Sequence, residues 1–265
     1  MPDTFDPPLD EFNADLDRLE QLCQLLQSLR DFGGLADPQA SVDDFIGAAT
    51  RLRLTVRAQR TDFPLLTGAL LLYLAGRFEY FVRACFEALA GALADKCQRF
   101  SDLPEKMQAE LLRMTGEALR NPNRYGFDDV DVRGFISNLA GNLAANTGIG
   151  TINTPCLSVT DQNMWPDTLA DLFKRIGVTK LWEDIGKQSA MKVHCEIEAE
   201  SQVSREAKSR LARLMTERNQ IAHPTGTVTF PDTDGLAAHM RFLRVLGQVL
   251  ADICRVQIAV FPSEG

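Results

Sequence analysis

Apolar side chains in this 265-residue chain recur at three- and four-residue spacing almost from end to end. That period is helical, and it leaves little room for sheet. Leu9, Phe12, Leu16, Leu19, Leu22, Cys23, Leu26 and Leu29 trace one amphipathic helix that stops before Gly33-Gly34. Ser41 reads as an N-cap, with Asp43 and Asp44 at the positive end of a second helix running to about Arg60. Asp62 and Pro64 open a third, from Leu65 to about Phe100, whose length and apolar content predict the central core helix.

Ser101 and Pro104 begin a helix to about Arg120, broken by Asn121-Pro122-Asn123 and Gly126, and another runs from Asp129 to about Asn146. Thr147 to Thr160, rich in Gly, Thr, Asn and Pro, predicts a loop with room for a short strand at Cys156 to Val159. Short helices follow at Pro166 to Ile176 and Lys180 to Ile185. The stretch from Lys187 to Glu200 has no decisive pattern, and Val203 to Ala222 is helical again. Asp232 or Thr233 caps a last helix carrying Leu236, Met240, Leu243, Leu246, Leu250 and Ile253. With no internal repeat and no linker, the expectation is a single all-α domain over residues 1–265.

Composition narrows the function classes. Hydrophobic content of 45% and charged content of 24% are those of an ordinary globular chain. The apolar run from Leu65 to Gly76 leads into Arg77, Glu79, Arg83 and Glu87, so no membrane span is expected. The first residues lack a basic segment followed by an apolar one, which predicts a cytoplasmic protein. The six cysteines form no CxxC pair and read as reduced, mostly buried thiols. Cys156, His194 and Cys195 match no common zinc spacing, and no metal or other cofactor is expected. A net charge of −8 argues against coating nucleic acid nonspecifically. It allows a local basic cleft, with walls among Arg51, Arg53, Arg57 and Arg60 or among Arg205, Lys208, Arg210, Arg213 and Arg218. The ordinary alternative for each is a solvated helix face.

One stretch carries chemistry. Arg218-Asn219-Gln220-Ile221-Ala222-His223-Pro224 closes the penultimate helix. A guanidinium forks onto phosphate oxygens, and an imidazole exchanges a proton near neutrality. With twenty-one arginines and three histidines such spacing arises readily by chance, so context must supply the specificity. Leu211, Leu214, Met215 and Ile221 form an apolar stripe that is expected to leave Arg218 off the main buried face. Pro224 biases His223 out of the α region and should end the helix at about Ala222. In a straight helix five residues separate Arg218 and His223 by about 140°. Ending the helix before His223 frees the ring, and Asn219 lies one turn back, within reach of it. The negative end of the helix favours the imidazolium while Arg218 opposes it, a balance that suits proton transfer. His194 and His239 have no partner nameable from sequence and read as incidental, and Trp165, Trp182 and Tyr80 read as apolar anchors.

Arg218 to His223, at the end of a late helix and followed by a turn and one last helix, resembles the Arg-x4-6-His motif of HEPN domains. In many of these a polar residue, often Asn, follows the arginine. Gly68 to Cys85 (GALLLYLAGRFEYFVRAC) resembles their long core helix, where an apolar run leads into a Phe-Glu pair like Phe78-Glu79. The resemblance covers a core of roughly residues 65–100 and 166–260. Residues 1–60 and 101–165 then read as additional N-terminal and inserted helices on an all-α, HEPN-like bundle.

The resemblance implies a metal-independent endoribonuclease, of the toxin or anti-phage defence type, leaving 2′,3′-cyclic phosphate and 5′-hydroxyl ends. His223 would serve as general acid or base, Arg218 would stabilise the phosphorane, and Asn219 would position the scissile group. Glu79 would support the site by pairing with Arg218 or Arg77, and Arg210 and Arg213 would bind RNA. The implied partners are the RNA substrate, a second copy forming a composite site, and an antitoxin or activating defence protein. A tyrosine two residues after the histidine marks the nucleotide-modified toxins of this superfamily, and Pro224-Thr225 stands here instead, so control by adenylylation is not expected. The same resemblance accommodates a non-catalytic HEPN dimerisation or ligand-binding module, and the residues alone accommodate an unrelated helical scaffold.

Overall fold

The computed structural model describes residues 3–35, 44–144, 148–226 and 229–262. Among them are eleven α-helices, two 3-10 turns and no strand, so the fold is all-α as the periodicity requires. Five helices follow the sequence pattern closely: α1 (Asp6–Gly34), α2 (Asp44–Ala58), α3 (Phe63–Ala94), α4 (Glu105–Arg120) and α5 (Asp129–Ala144). Helix α1 starts early because Pro7 and Pro8 sit in its first turn, where a missing N–H costs nothing. It also continues through Gly33. A Cβ there would lie 2.8 Å from the Val56 Cγ1 of α2, so glycine permits the close approach of the two helices. Helix α3 ends at Ala94, short of Phe100, and a separate 3-10 turn (Phe100–Asp102) follows, with the Asp102 carboxylate accepting the Arg99 N–H at 2.6 Å. Ser41, Asp43, Asn146 and Thr147 lie outside the described residues.

The expected strand at Cys156 to Val159 is corrected to a helical turn, α6 (Thr154–Leu157). An isolated strand in an all-helical chain would leave its backbone groups without a ladder. Pro155 suits a first helical turn instead, and the Ser158 N–H closes it on the Thr154 carbonyl at 2.9 Å. Then come α7 (Pro166–Lys174) and α8 (Leu181–Lys187). The stretch without a decisive pattern forms α9 (Ser189–Cys195), ended by Glu196 at φ 56°. Helices α10 (Glu200–Ala222) and α11 (Thr233–Val260) complete the chain.

Two compact units result: Met1–Asp10, Glu79–Ala212 and Val245–Gly265 form one, and Glu11–Phe78 with Arg213–Arg244 form the other. Helices α1, α3, α10 and α11 contribute segments to both. In the first unit Phe86 meets Phe173 edge-on at 5.8 Å within a core that includes Phe81, Leu89 and Leu172. Trp182 is buried and donates its indole N–H to the Pro166 carbonyl at 2.9 Å, with the Lys208 ammonium 5.7 Å from its ring, so it anchors α7. The Lys96 ammonium donates to the Ile258 carbonyl at 2.6 Å and the Phe261 carbonyl at 3.2 Å, capping the negative end of α11. The described cysteines are free thiols, and burial pushes Cys85 and Cys156 up to about 12.

The second unit packs Phe12, Leu16 and Leu19 of α1, Leu71, Leu74 and Phe78 of α3, and Leu236, Met240 and Leu243 of α11 into its core. Phe12 and Phe78 meet at 6.1 Å between ring centroids. By length and composition α3 alone among the described helices would suffice to cross a bilayer, but its inward side chains are those of a core helix.

A buried charge, Asp15, sits at the edge of this core. Its carboxylate accepts from Arg77 Nε, from Arg18 at 2.9 Å and from the Tyr73 hydroxyl at 3.2 Å, while Arg77 reaches Glu11 at 2.5 Å. Removing one partner of such a pair strands the other. Asp15→Ala is therefore expected to lower the unfolding free energy measured in urea by about 2–3 kcal/mol, with Asp15→Ala/Arg77→Ala losing less than the sum of the singles.

Candidate active site at the end of helix α10

Helix α10 ends where the proline rule places it, at Ala222. The His223 N–H still donates to the Asn219 carbonyl at 2.9 Å, so the backbone follows the helix one residue further than its last full turn. The imidazole is exposed and makes no hydrogen bond or ion pair among the described residues. Asn219 and Arg218 are half-buried, and the Arg218 guanidinium donates to the Asn219 side-chain carbonyl at 3.2 Å. No carboxylate among the described residues pairs with Arg218.

One detail departs from expectation. Leu214 and Met215 are fully buried, and Arg218 stands four and three residues after them, in line with the stripe. Arg218 thus continues the buried face at the point where burial runs out, and is itself half-buried. That placement restricts the guanidinium more than a fully solvated position would.

The segment leaving His223 is pinned at its far end. Phe230 lies against Gly68 of α3, where a Cβ would come 2.5 Å from the Phe230 ring, and Ile221 Cγ2 lies 3.5 Å from the same point. The Thr67 hydroxyl bridges the carbonyls of Pro231 at 2.6 Å and Pro64 at 2.9 Å. The apolar run around Gly68 therefore supplies a gap for an aromatic ring.

Beside Arg218 is a feature that the sequence reading passed over. Glu217 accepts Arg213 Nε on one carboxylate oxygen and meets His239 Nε2 of α11 on the other, both at 2.8 Å. His239 is 7% exposed and is not incidental. A signal existed: His239 stands three residues after Leu236 and four before Leu243, inside the apolar stripe of α11, where a histidine needs a partner. Burial opposes ionisation of Glu217, but the bonds from Arg213 and His239 outweigh it and hold its carboxyl below the ordinary range.

The remaining predicted residues have other partners. Glu79 pairs with Arg83 at 2.7 Å, one turn along α3, in place of Arg77 or Arg218. Arg83 also donates to the Thr160 hydroxyl at 2.8 Å, so Glu79 belongs to a brace between α3 and the loop after α6. The local i,i+4 geometry wins, as Glu before Arg on a helix favours it. Arg77 is held by Glu11 and Asp15. Arg210 bonds Glu206 at 2.7 Å and His194 Nε2 at 3.0 Å, and the exposed Arg213 is bound to Glu217. Arg53 is buried and donates to the Leu35 carbonyl at 2.8 Å, so it is no cleft wall. A cleft of about 570 Å³ between α1 and α11, lined by residues such as Gln24, Gln27, Asp234 and Arg241, contains none of the predicted site residues.

Two outcomes follow. In Gly68→Ala the better helix former brings a methyl group into the Phe230 ring, so overpacking should exceed the propensity gain and lower stability by about 1 kcal/mol in thermal unfolding. Glu217 holds its proton less tightly folded than unfolded, so its stabilising effect is complete above the ordinary carboxyl value of 4.5 and is lost as pH falls through the lower folded value. Glu217→Gln should accordingly flatten the acid side of the plot of unfolding midpoint against pH.

No curated protein and no solved structure matches the chain significantly. The model of the RiboL-PSP-HEPN family matches residues 48–255, a span that takes in α3, the Arg218–His223 stretch and most of α11. A domain of this type points to a nuclease-type or other RNA-related role. On that match, covering most of its length, the chain belongs to the RiboL-PSP-HEPN family.

Proposed function

We propose that the protein is an endoribonuclease that cleaves RNA by attack of a 2′-hydroxyl on its own adjacent phosphate. The observation that carries this reading is the state of the α10 terminus. A guanidinium bonded to an amide and an exposed imidazole lie within six residues, neither the guanidinium nor the imidazole being matched by a carboxylate among the described residues. Arg218 supplies charge and forked donors to the phosphorane oxygens, and Asn219 orients the scissile group. The O2′–P bond forms as the P–O5′ bond breaks, one proton leaves the 2′-hydroxyl and one reaches the departing 5′-oxygen. The ends are a 2′,3′-cyclic phosphate and a 5′-hydroxyl, and no water is consumed.

One imidazole cannot serve as base and acid at once on opposite sides of phosphorus. Two copies of the chain, each bringing Arg218 and His223 to a shared cleft, supply both and double the positive charge facing the RNA locally, while each chain keeps its net charge of −8. A toxin or defence effector held in check by a partner protein is the biological setting that this activity suggests, and it rests on the resemblance alone.

Sequencing of RNA ends from cells producing the protein tests the reading. The expected result is new 5′-hydroxyl ends that vanish in His223→Ala and Arg218→Ala, each losing at least about a hundredfold in cleavage rate. Binding of RNA with no cleavage by the unaltered protein would leave the family's non-catalytic module as the better account.

A further inference from the structure

We infer that His239 and Glu217 act as positioning residues for the α10 terminus, locking the roll of the helix about its own axis so that Arg218, Asn219 and His223 keep a fixed presentation. The inference rests on the endoribonuclease reading for its consequence but not for its geometry. Three observations carry it.

Glu217 immediately precedes Arg218, so the two side chains leave the helix about 100° apart and cannot turn independently. The carboxylate is held from two directions at 2.8 Å, by Arg213 one turn earlier on α10 and by His239 on α11. His239 is nearly sealed from solvent, so it cannot meet an RNA, and its bond to Glu217 is weakly contested by water. The neighbouring apolar contacts of Leu214 and Met215 fix depth but are non-directional, and the hydrogen bond adds the angular restraint they lack. At a radius of about 6 Å from a helix axis, a roll of about 10° displaces a side chain by about 1 Å. A misplacement of about 1 Å is enough to cost on the order of a hundredfold in rate.

The test uses the full chain and two substitutions at one position. His239→Gln keeps an N–H donor near the place of Nε2, whereas His239→Leu keeps the bulk and loses the donor. The chain has only three histidines, so the His223 ring signals can be assigned in a nitrogen- and carbon-edited imidazole NMR spectrum by comparison with His223→Ala. The expected result is that His239→Leu moves the His223 signals and lowers kcat by about ten- to a hundredfold with KM little changed, while His239→Gln restores both. A His239→Leu protein whose His223 signals coincide with those of the unaltered chain overturns the inference, whatever its activity. Equal loss in the Gln and Leu variants overturns it too, because the donor would then not matter. If His239→Leu fails to fold by circular dichroism, Glu217→Gln, which turns one of its two acceptors into a donor, takes its place under the same criteria. Should the unaltered protein cleave no RNA, the endoribonuclease reading falls while the His223 signals still decide the positioning role.

Discussion

Burial of the apolar face of α3 is the constraint on which the rest depends. Like α11, it buries large side chains in the cores of both compact units, with Leu71, Leu74 and Phe78 in one and Phe81, Val82, Phe86 and Leu89 in the other. At roughly 25 cal/mol per Å² of apolar surface, a run of such residues outweighs any polar feature nearby. The polar features are accordingly arranged at its margins: Asp15 against Arg77, Glu79 against Arg83, and Thr67 holding the carbonyl of Pro231.

What could be read from sequence was whatever short-range physics determines. The 3.6-residue period located nearly all the helices, and Pro224 set the end of α10 to the residue. Where non-local packing decides, the pattern was mute or misleading. Gly33-Gly34 looked like a stop, yet Val56 of another helix makes Gly33 a point of contact. The loop composition around Cys156 to Val159 leaves room for a short strand, and no partner strand exists to pair with it among the described residues. Glu79 was expected to reach an arginine near the site, although Arg83 four residues on was the nearer choice and the sequence already contained it. The Glu217–His239 bond joins residues 22 apart across a loop, a distance at which periodicity says nothing.

The arginines illustrate how a net negative chain can still present a site for phosphate. Several arginines of α10 and α11 are matched to carboxylates: Arg213 to Glu217, Arg210 to Glu206, Arg244 to Asp17 and Glu20. Such pairs are of small energetic value at a surface. Their effect is to subtract background charge, whereas Arg218 is bonded to a neutral amide and pairs with no carboxylate among the described residues.

The Phe230 ring seated on Gly68 makes a position inside α3 answerable for the backbone that leads into α11. Any side chain there would have to displace the ring, and with it the neighbouring Pro231 carbonyl that the Thr67 hydroxyl holds at 2.6 Å. The absence of a side chain at residue 68 is thus as much a part of the packing as the aromatic ring that fills its place.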